Sequence, residues 1–186
     1  MSTGSGKAFV LALLTGNYNV KTIIYVISID LLYQMKDTFS NLYPDVKIGM
    51  VGDGHCDIQD ITICTLWSAA SAFNIKMDKV DSEINAYSKS KDNLTNQNKN
   101  NIKKMVAESQ MLIIDECQFC GCNAAQLIHK ESVNARYRFL FSATPWRDDN
   151  ADILIESIAG PKIYDLTATE LIKAGWLVQP KIYFIN

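Results

Sequence analysis

The sequence predicts an α/β domain: a mostly parallel central sheet with helices on both faces. Three observations lead there. Short runs rich in Val and Ile alternate with stretches of helical periodicity along most of the chain. The runs are apolar throughout rather than every second residue, the pattern of strands covered on both faces. And three landmarks of polar chemistry sit where loops meet these elements: TGSGK (Thr3 to Lys7), the Asp-Glu of MLIIDECQ (Met111 to Gln118), and the Ser-Ala-Thr-Pro of YRFLFSATPWR (Tyr137 to Arg147).

The elements follow in order. KAFVLALL after the glycine loop is apolar nearly all round, which predicts a helix buried against a sheet. KTIIYVIS (Lys21 to Ser28) reads as a buried parallel strand. A helix is expected from Asp30 to about Tyr43, with Leu31, Leu32, Met35, Phe39 and Leu42 at helical spacing. VKIGMVG (Val46 to Gly52) and DITICT (Asp60 to Thr65) are further strands, the second leading into a short helix through Ala72. MLIID, RFLFS and PKIYFI (Pro180 to Ile185) complete the set of strands. Lys76 to Lys104 stands apart: seven Lys, four acids, six Asn, and neither Gly nor Pro. Its middle, Ser88 to Asn98, reads as a mobile polar surface insertion, with helix resuming before Ser109. Its excess positive charge fits a solvated loop better than a nucleic-acid contact.

With 186 residues, 48% of them hydrophobic, the chain makes one domain with a substantial core. A net charge of −2 excludes a global basic footprint, so nucleic-acid contact would need a local patch. No run is long and apolar enough for a membrane span, and the N-terminus lacks a signal-peptide layout. The expectation is a soluble, cytoplasmic protein with no membrane partner. Asn, Lys and Ile usage hints at an AT-rich, viral source. Five cysteines (Cys56, Cys64, Cys117, Cys120, Cys122) are an odd set in a chain with no need of staples, which suits reduced thiols.

Each landmark has its chemistry. Glycines let backbone N–H groups wrap a phosphate closely, and the following helix adds the positive end of its dipole. That assigns phosphate contact to Thr3, Gly4, Ser5, Gly6, Lys7 and Ala8, with Lys7 reaching the outer phosphates. The bland reading is a Gly-Ser turn before a helix. Two positions depart from the full G-x-x-x-x-G-K-[ST] pattern: Met1 stands for the first glycine, and Ala8 for the hydroxyl residue that meets Mg²⁺. In IIDEC a buried strand delivers two carboxylates to its C-terminal end, where ligands bind in open α/β sheets. Asp115 suits Mg²⁺ and Glu116 suits orienting the attacking water. The competing account is a strand end turning into solvent. Ser142 and Thr144 close the next strand as small hydroxyl groups, otherwise an ordinary Ser/Thr turn stopped by Pro145.

TGSGK, DECQ and SATPWR, in this order and spacing, resemble motifs I, II and III of superfamily 2 helicases on the DEAD/DEAH side. VISIDLLYQMKDTF resembles motif Ia, with Leu32 and Gln34 in the expected places. ITICTLWSAA resembles the Thr-x-x-Ser segment, and GPKIYDLTATELIKAGWLVQPKI the end of the first motor domain in phage and repair helicases. The likeness covers all but about Lys76 to Asn101. It implies a RecA-like three-layer domain, 1–186, as a single N-terminal helicase ATP-binding domain incomplete at both ends. It implies ATP and Mg²⁺ as cofactors and nucleic acid as partner, DNA ahead of RNA. Lys7 and Glu116 are then catalytic, Asp115 holds the metal, and Gln118, Ser142 and Thr144 couple the site to movement. Gln118 stands where the family has His or Asp. The nucleic-acid face is expected at Ser28, Gly54, Thr65 and Ser68. A second RecA-like domain carrying arginine donors would lie outside these residues, so the isolated chain is expected to be inactive or weakly active.

Two other functions fit parts of the pattern: a terminase-like viral packaging ATPase, and a non-catalytic nucleic-acid-binding fragment of a helicase, which Ala8 favours. Cys117, Cys120 and Cys122, with His129 further along, lack the paired spacing of a zinc knuckle; Cys117 reads as simply following the acid pair and the other two as starting a helix. His55 reads as a turn residue, and Trp146 and Arg147 as either a stacking pair or packing.

Overall fold

The structure, a computed structural model, describes residues 6–75, 94–144 and 152–181. Helix α1 (Lys7–Tyr18) leads to β1 (Thr22–Val26), α2 (Ile29–Leu42), β2 (Ile48–Gly52), β3 (His55–Asp57), β4 (Ile61–Thr65) and α3 (Leu66–Ala72). Overlapping the end of the lysine-rich stretch is α4 (Asn96–Glu108), followed by β5 (Met111–Asp115), a 3₁₀ turn at Cys117–Phe119 and α5 (Asn123–Glu131). Strand β6 (Tyr137–Phe141) and helices α6 (Asp152–Ala159) and α7 (Ala168–Lys173) follow. The strands form one sheet in the order β3-β2-β4-β1-β5-β6. All neighbours are parallel except β2 and β3, a tight antiparallel pair. The C-terminal ends of β1, β2, β4, β5 and β6 therefore share one edge.

Every residue of β1, β2 and β5 is buried, as continuous apolar runs demand. Successive residues serve opposite faces. Ile23, Tyr25, Leu112 and Ile114 pack with α3, α4, α5 and α6. Ile24, Val26, Met111 and Ile113 pack with α1 and α2. Two helical layers thus enclose the sheet, which is the three-layer arrangement the sequence predicts.

Some local expectations change. Helix α1 is not buried all round: Leu11, Ala12 and Thr15 face inward while Phe9 and Leu13 lie half exposed. The sheet lies on one side of it only. His55 sits in β3, not in a turn; the turn is Asp53 and Gly54, at φ 51° and 80°. Helix α4 starts at Asn96, capped by the Thr95 side chain, inside the stretch read as loop. It is helical there because Ile102, Met105 and Val106 bury one stripe of an otherwise polar helix. PKIYFI falls almost wholly outside the described residues, as do Trp146 and Arg147.

Among the described residues β6 has no strand partner on its outer side. A cavity of about 510 Å³ runs along that edge, between Val10 and Leu14 of α1 on one side and Ile155 and Ala159 of α6 on the other.

Candidate nucleotide site

The site forms where α1 begins and β5 and β6 end. Gly6 caps α1 in the left-handed region, φ 77°, and its carbonyl accepts the amides of Phe9 and Val10. That backbone turn suits glycine and aims the start of α1 at the sheet edge. Lys7, the first helical residue, reaches Glu116 across 109 positions of sequence: Nζ donates to Oε1 at 3.1 Å. The pair is largely sheltered, at 13% and 26% side-chain exposure.

Strand β5 delivers Asp115 buried at its last position. The chain then turns sharply, with Glu116 left-handed at φ 57° and ψ 53°. For a non-glycine residue this is uncommon and costs about 1–2 kcal/mol. The turn brings the Glu116 amide onto Asp115 Oδ1 at 3.0 Å and swings the Glu116 carboxylate toward α1. Gln118 Nε2 donates to Glu116 Oε2 at 2.9 Å. From the end of β6, Ser142 Oγ donates to Gln118 Oε1 at 2.5 Å and accepts the Thr144 amide at 2.9 Å. Residues 7, 115, 116, 118, 142 and 144 thus form one connected cluster. Thr3, Gly4 and Ser5 lie outside the described residues.

Burial raises the Asp115 carboxyl above the usual carboxylate range; the Lys7 charge pulls the other way and the Glu116 charge adds to the rise. Among the described residues one lysine, Lys7, faces these two acids, which leaves the corner short of positive charge. A divalent cation would supply it. Among the described residues no three metal-ligating side chains converge. The adjacent carboxylates at the end of β5 are of the kind Mg²⁺ takes, one or two carboxylates with phosphate oxygens and water completing the shell. Ala8 is half-buried and packs against the α1–α2 side of the core, so it offers a methyl group where a hydroxyl would help.

The cysteines behind the site, Cys117, Cys120 and Cys122, are buried. Burial first, then the charges of Glu116 and Asp115, push the Cys117 thiol up to about 12. It stays protonated and packs as a small apolar group.

The four residues expected on a nucleic-acid face divide. Ser28 caps α2, its side chain accepting from the Leu31 amide at 3.2 Å, and is partly buried. Gly54 is exposed in the β2–β3 turn. Thr65 and Ser68 are each only 1% exposed. Their hydroxyls bond each other at 2.7 Å, and Thr65 Oγ1 accepts the Ser68 amide at 3.2 Å. They form the capping turn of α3 and present no hydroxyl outward. The expectation treated a helix start as a surface, whereas α3 packs between β4 and α4. One structural residue escaped the sequence reading. Arg138 holds the end of α5, donating to the carbonyls of His129, Ser132 and Ala135 and meeting His129 Nδ1. A basic residue soon after a helix end was the available signal.

Comparison with known proteins bears on the family and the fold. Residues 1–147 match the family model "Type III restriction enzyme, res subunit". The chain is 27% identical over 171 residues to the DNA 3'-5' translocase XPB2 of Sulfurisphaera tokodaii, covering 92% of this chain and 32% of that protein. In fold it is similar to a hypothetical ATP-dependent RNA helicase from Sulfolobus tokodaii, with a TM-score of 0.60, 16% identity, and 84% and 43% of the two chains covered. It is also similar to the UvsW helicase from bacteriophage T4, with a TM-score of 0.55, 19% identity, and 86% and 51% covered. A third similar structure is the Sulfolobus solfataricus SWI2/SNF2 ATPase core in complex with dsDNA, with a TM-score of 0.53, 16% identity, and 86% and 30% covered. The chain spans about a third of the curated relative's length. A three-layer parallel fold, an acid pair at a strand end facing a glycine-lysine helix start, and a family match over most of its length make this chain a member of the type III restriction enzyme res-subunit family, with the RecA-like first-domain fold of superfamily 2 helicases.

Proposed function

We propose that this domain binds Mg-ATP at the Lys7–Glu116 corner and, within a longer motor, couples its hydrolysis to movement along nucleic acid. The observation that carries the reading is the Lys7–Glu116 ion pair, which joins the glycine loop to the acid pair. In it Lys7, with the backbone of residues 3–8, binds the phosphates. Asp115 holds Mg²⁺ and Glu116 orients the attacking water. Gln118, Ser142 and Thr144 pass the state of the site to β6. Bound Mg²⁺ would neutralise the developing charge on the transferred phosphoryl group. Nucleic acid, DNA ahead of RNA, crosses the same sheet edge near Ser28 and Gly54. Support for DNA comes from the relative named as a DNA translocase and the neighbour solved with dsDNA.

Nucleotide titration tests the reading. Lys7→Ala should weaken ATP-analogue binding about tenfold or more, with or without metal, since it removes a charge-assisted contact to phosphate. Ala8→Thr should tighten binding only when Mg²⁺ is present, because it offers an oxygen ligand to a hard cation. Unchanged affinity in both variants would remove the phosphate site from this loop. Ala8 also favours a second reading, a nucleic-acid-binding fragment without turnover. Single-turnover hydrolysis by a longer chain carrying the second domain separates the two.

A further inference from the structure

Glycine is a poor helix former, yet Gly16 stands inside α1. The reason is steric. A Cβ at Gly16 would lie 2.3 Å from Tyr43 Oη and 3.0 Å from its Cζ, too close for any side chain. The missing side chain leaves a notch, and the tip of the Tyr43 ring fills it. From there the Tyr43 hydroxyl donates to the Ala12 carbonyl at 2.8 Å. Tyr43 is itself held in place. It ends α2, where its amide donates to the Phe39 carbonyl at 2.9 Å and its carbonyl accepts from the Val46 amide at 3.1 Å. Its ring leans on that of Phe39, with centroids 6.4 Å apart.

The other contacts of α1 are mostly apolar. Leu11, Ala12 and Thr15 are its buried residues, and Tyr18 at its end rests on the rings of Tyr137 and Phe139. Its first turn has no side-chain cap. Apolar contact is non-directional, so it holds a helix on a sheet without choosing its rotation. The hydroxyl bond and the notch do choose it, because Tyr43 meets one carbonyl and one glycine. Ala12 lies about 7.5 Å along the axis from Lys7, a distance over which a helix is stiff. A turn of about 20° would carry a side-chain tip about 6 Å from the axis through about 2 Å. That is enough to open the 3.1 Å contact between Lys7 and Glu116. We propose that Tyr43 is a positioning residue: seated on Gly16, its hydroxyl sets the rotation of α1 and so aims Lys7 at the strand ends. When phosphate draws Lys7 off Glu116, the Tyr43 bond still holds the helix. The consequence for binding rests on the nucleotide reading above.

Two measurements on the 186-residue chain test this. The first is titration with a non-hydrolysable ATP analogue and Mg²⁺. Tyr43→Phe keeps the ring and removes the bond, whereas Gly16→Ala fills the notch and displaces the ring. Each should weaken analogue binding by about threefold or more. Alanine is the better helix former, so a purely structural part for Gly16 predicts unchanged or tighter binding instead. In a chain already carrying Tyr43→Ala, adding Gly16→Ala should change affinity by less than about twofold, since no ring is left to displace. The second measurement needs no nucleotide: urea unfolding of Tyr43→Phe, Lys7→Met and the double variant. Tyr43 bonds α1 at Ala12 rather than at Lys7, and separated sites ordinarily give independent losses. Here the double variant should lose less than the product of the two single effects on the unfolding equilibrium, by about twofold or more, because a helix free to turn has already weakened the Lys7–Glu116 contact. Independent losses would overturn the proposal, and so would unchanged analogue affinity in both single variants. If the wild-type chain binds no nucleotide, the nucleotide reading fails, and the unfolding cycle alone decides whether Tyr43 aims Lys7.

Discussion

At the scale of single residues, two glycines separate steric need from conformational need. A Cβ on Gly49 would lie 2.7 Å from the Asp57 carbonyl oxygen and 2.8 Å from the Gln59 nitrogen. Both are backbone atoms, so neither can swing aside. Gly54 has open space around it but a φ of 80°. Gly49→Ala is expected to destabilise the fold by about 1–3 kcal/mol through overpacking. Gly54→Ala should cost only about 1–2 kcal/mol, through left-handed backbone strain. Urea denaturation with a shared slope would measure both. A larger loss at Gly54 than at Gly49 would contradict the packing seen around β2. Glu116 accepts a similar left-handed cost without being glycine, and the ion pair and amide contacts that the turn creates hold it there.

At the scale of elements, two helix ends make opposite kinds of claim. The Thr65–Ser68 pair is the capping turn of α3, enclosed by the core. Thr65→Ala should therefore lower stability by about 1–2 kcal/mol, the usual cost of losing an N-cap. Nucleic-acid affinity of the folded variant should not change. A loss of affinity at unchanged melting temperature would restore these residues to the binding face. The other end is that of α5, where His129 and Lys130 lie in the last turn and Arg138 bonds the terminal carbonyls. Burial first, and then the Arg138 charge, hold the His129 imidazole below its ordinary value of 6.5. The unfolded chain then binds more protons than the folded one just below that pH. Stability from this group is complete above the unfolded value and declines as pH falls through the window beneath it. His129→Gln should lose less stability than wild type as pH falls below about 6.5, by a few degrees or less in melting temperature. Equal slopes in the two proteins would show that Arg138 and His129 do not share charge in this way.

At the scale of the whole molecule, the outer edge of β6 is the one long sheet edge without a strand partner among the described residues. Edge strands with open backbone groups pair readily with other chains. Here the edge borders an apolar cavity, and Ile163 and Tyr164 beside it are exposed. The isolated chain is expected to associate as its concentration rises. Ile163→Lys should shift that association to higher concentration, by about tenfold, through the cost of bringing like charges together at the edge. Sedimentation velocity over a concentration series would show it. Monomers at all concentrations would mean that the edge is already satisfied.

By itself the sequence determined the layer order and which acids stand at the strand ends. Uninterrupted apolar runs at β1, β2 and β5 require burial on both faces, and helical spacing between them requires parallel crossovers. An Asp-Glu pair directly after such a run must emerge at the C-terminal edge, so Asp115 and Glu116 were legible without coordinates. Tertiary structure decided what periodicity cannot carry. Whether Thr65 and Ser68 face phosphate or core depends on the position of α4, which packs over α3 from a segment whose own composition is polar. How much of α1 is covered depends on where the sheet lies, not on how apolar the helix is. The one-way chain from Thr144 to Glu116 joins residues 24 to 28 positions apart through a left-handed turn at Glu116. No local spacing encodes that turn, because its cost is met by contacts that exist only once β5, β6 and α1 have come together.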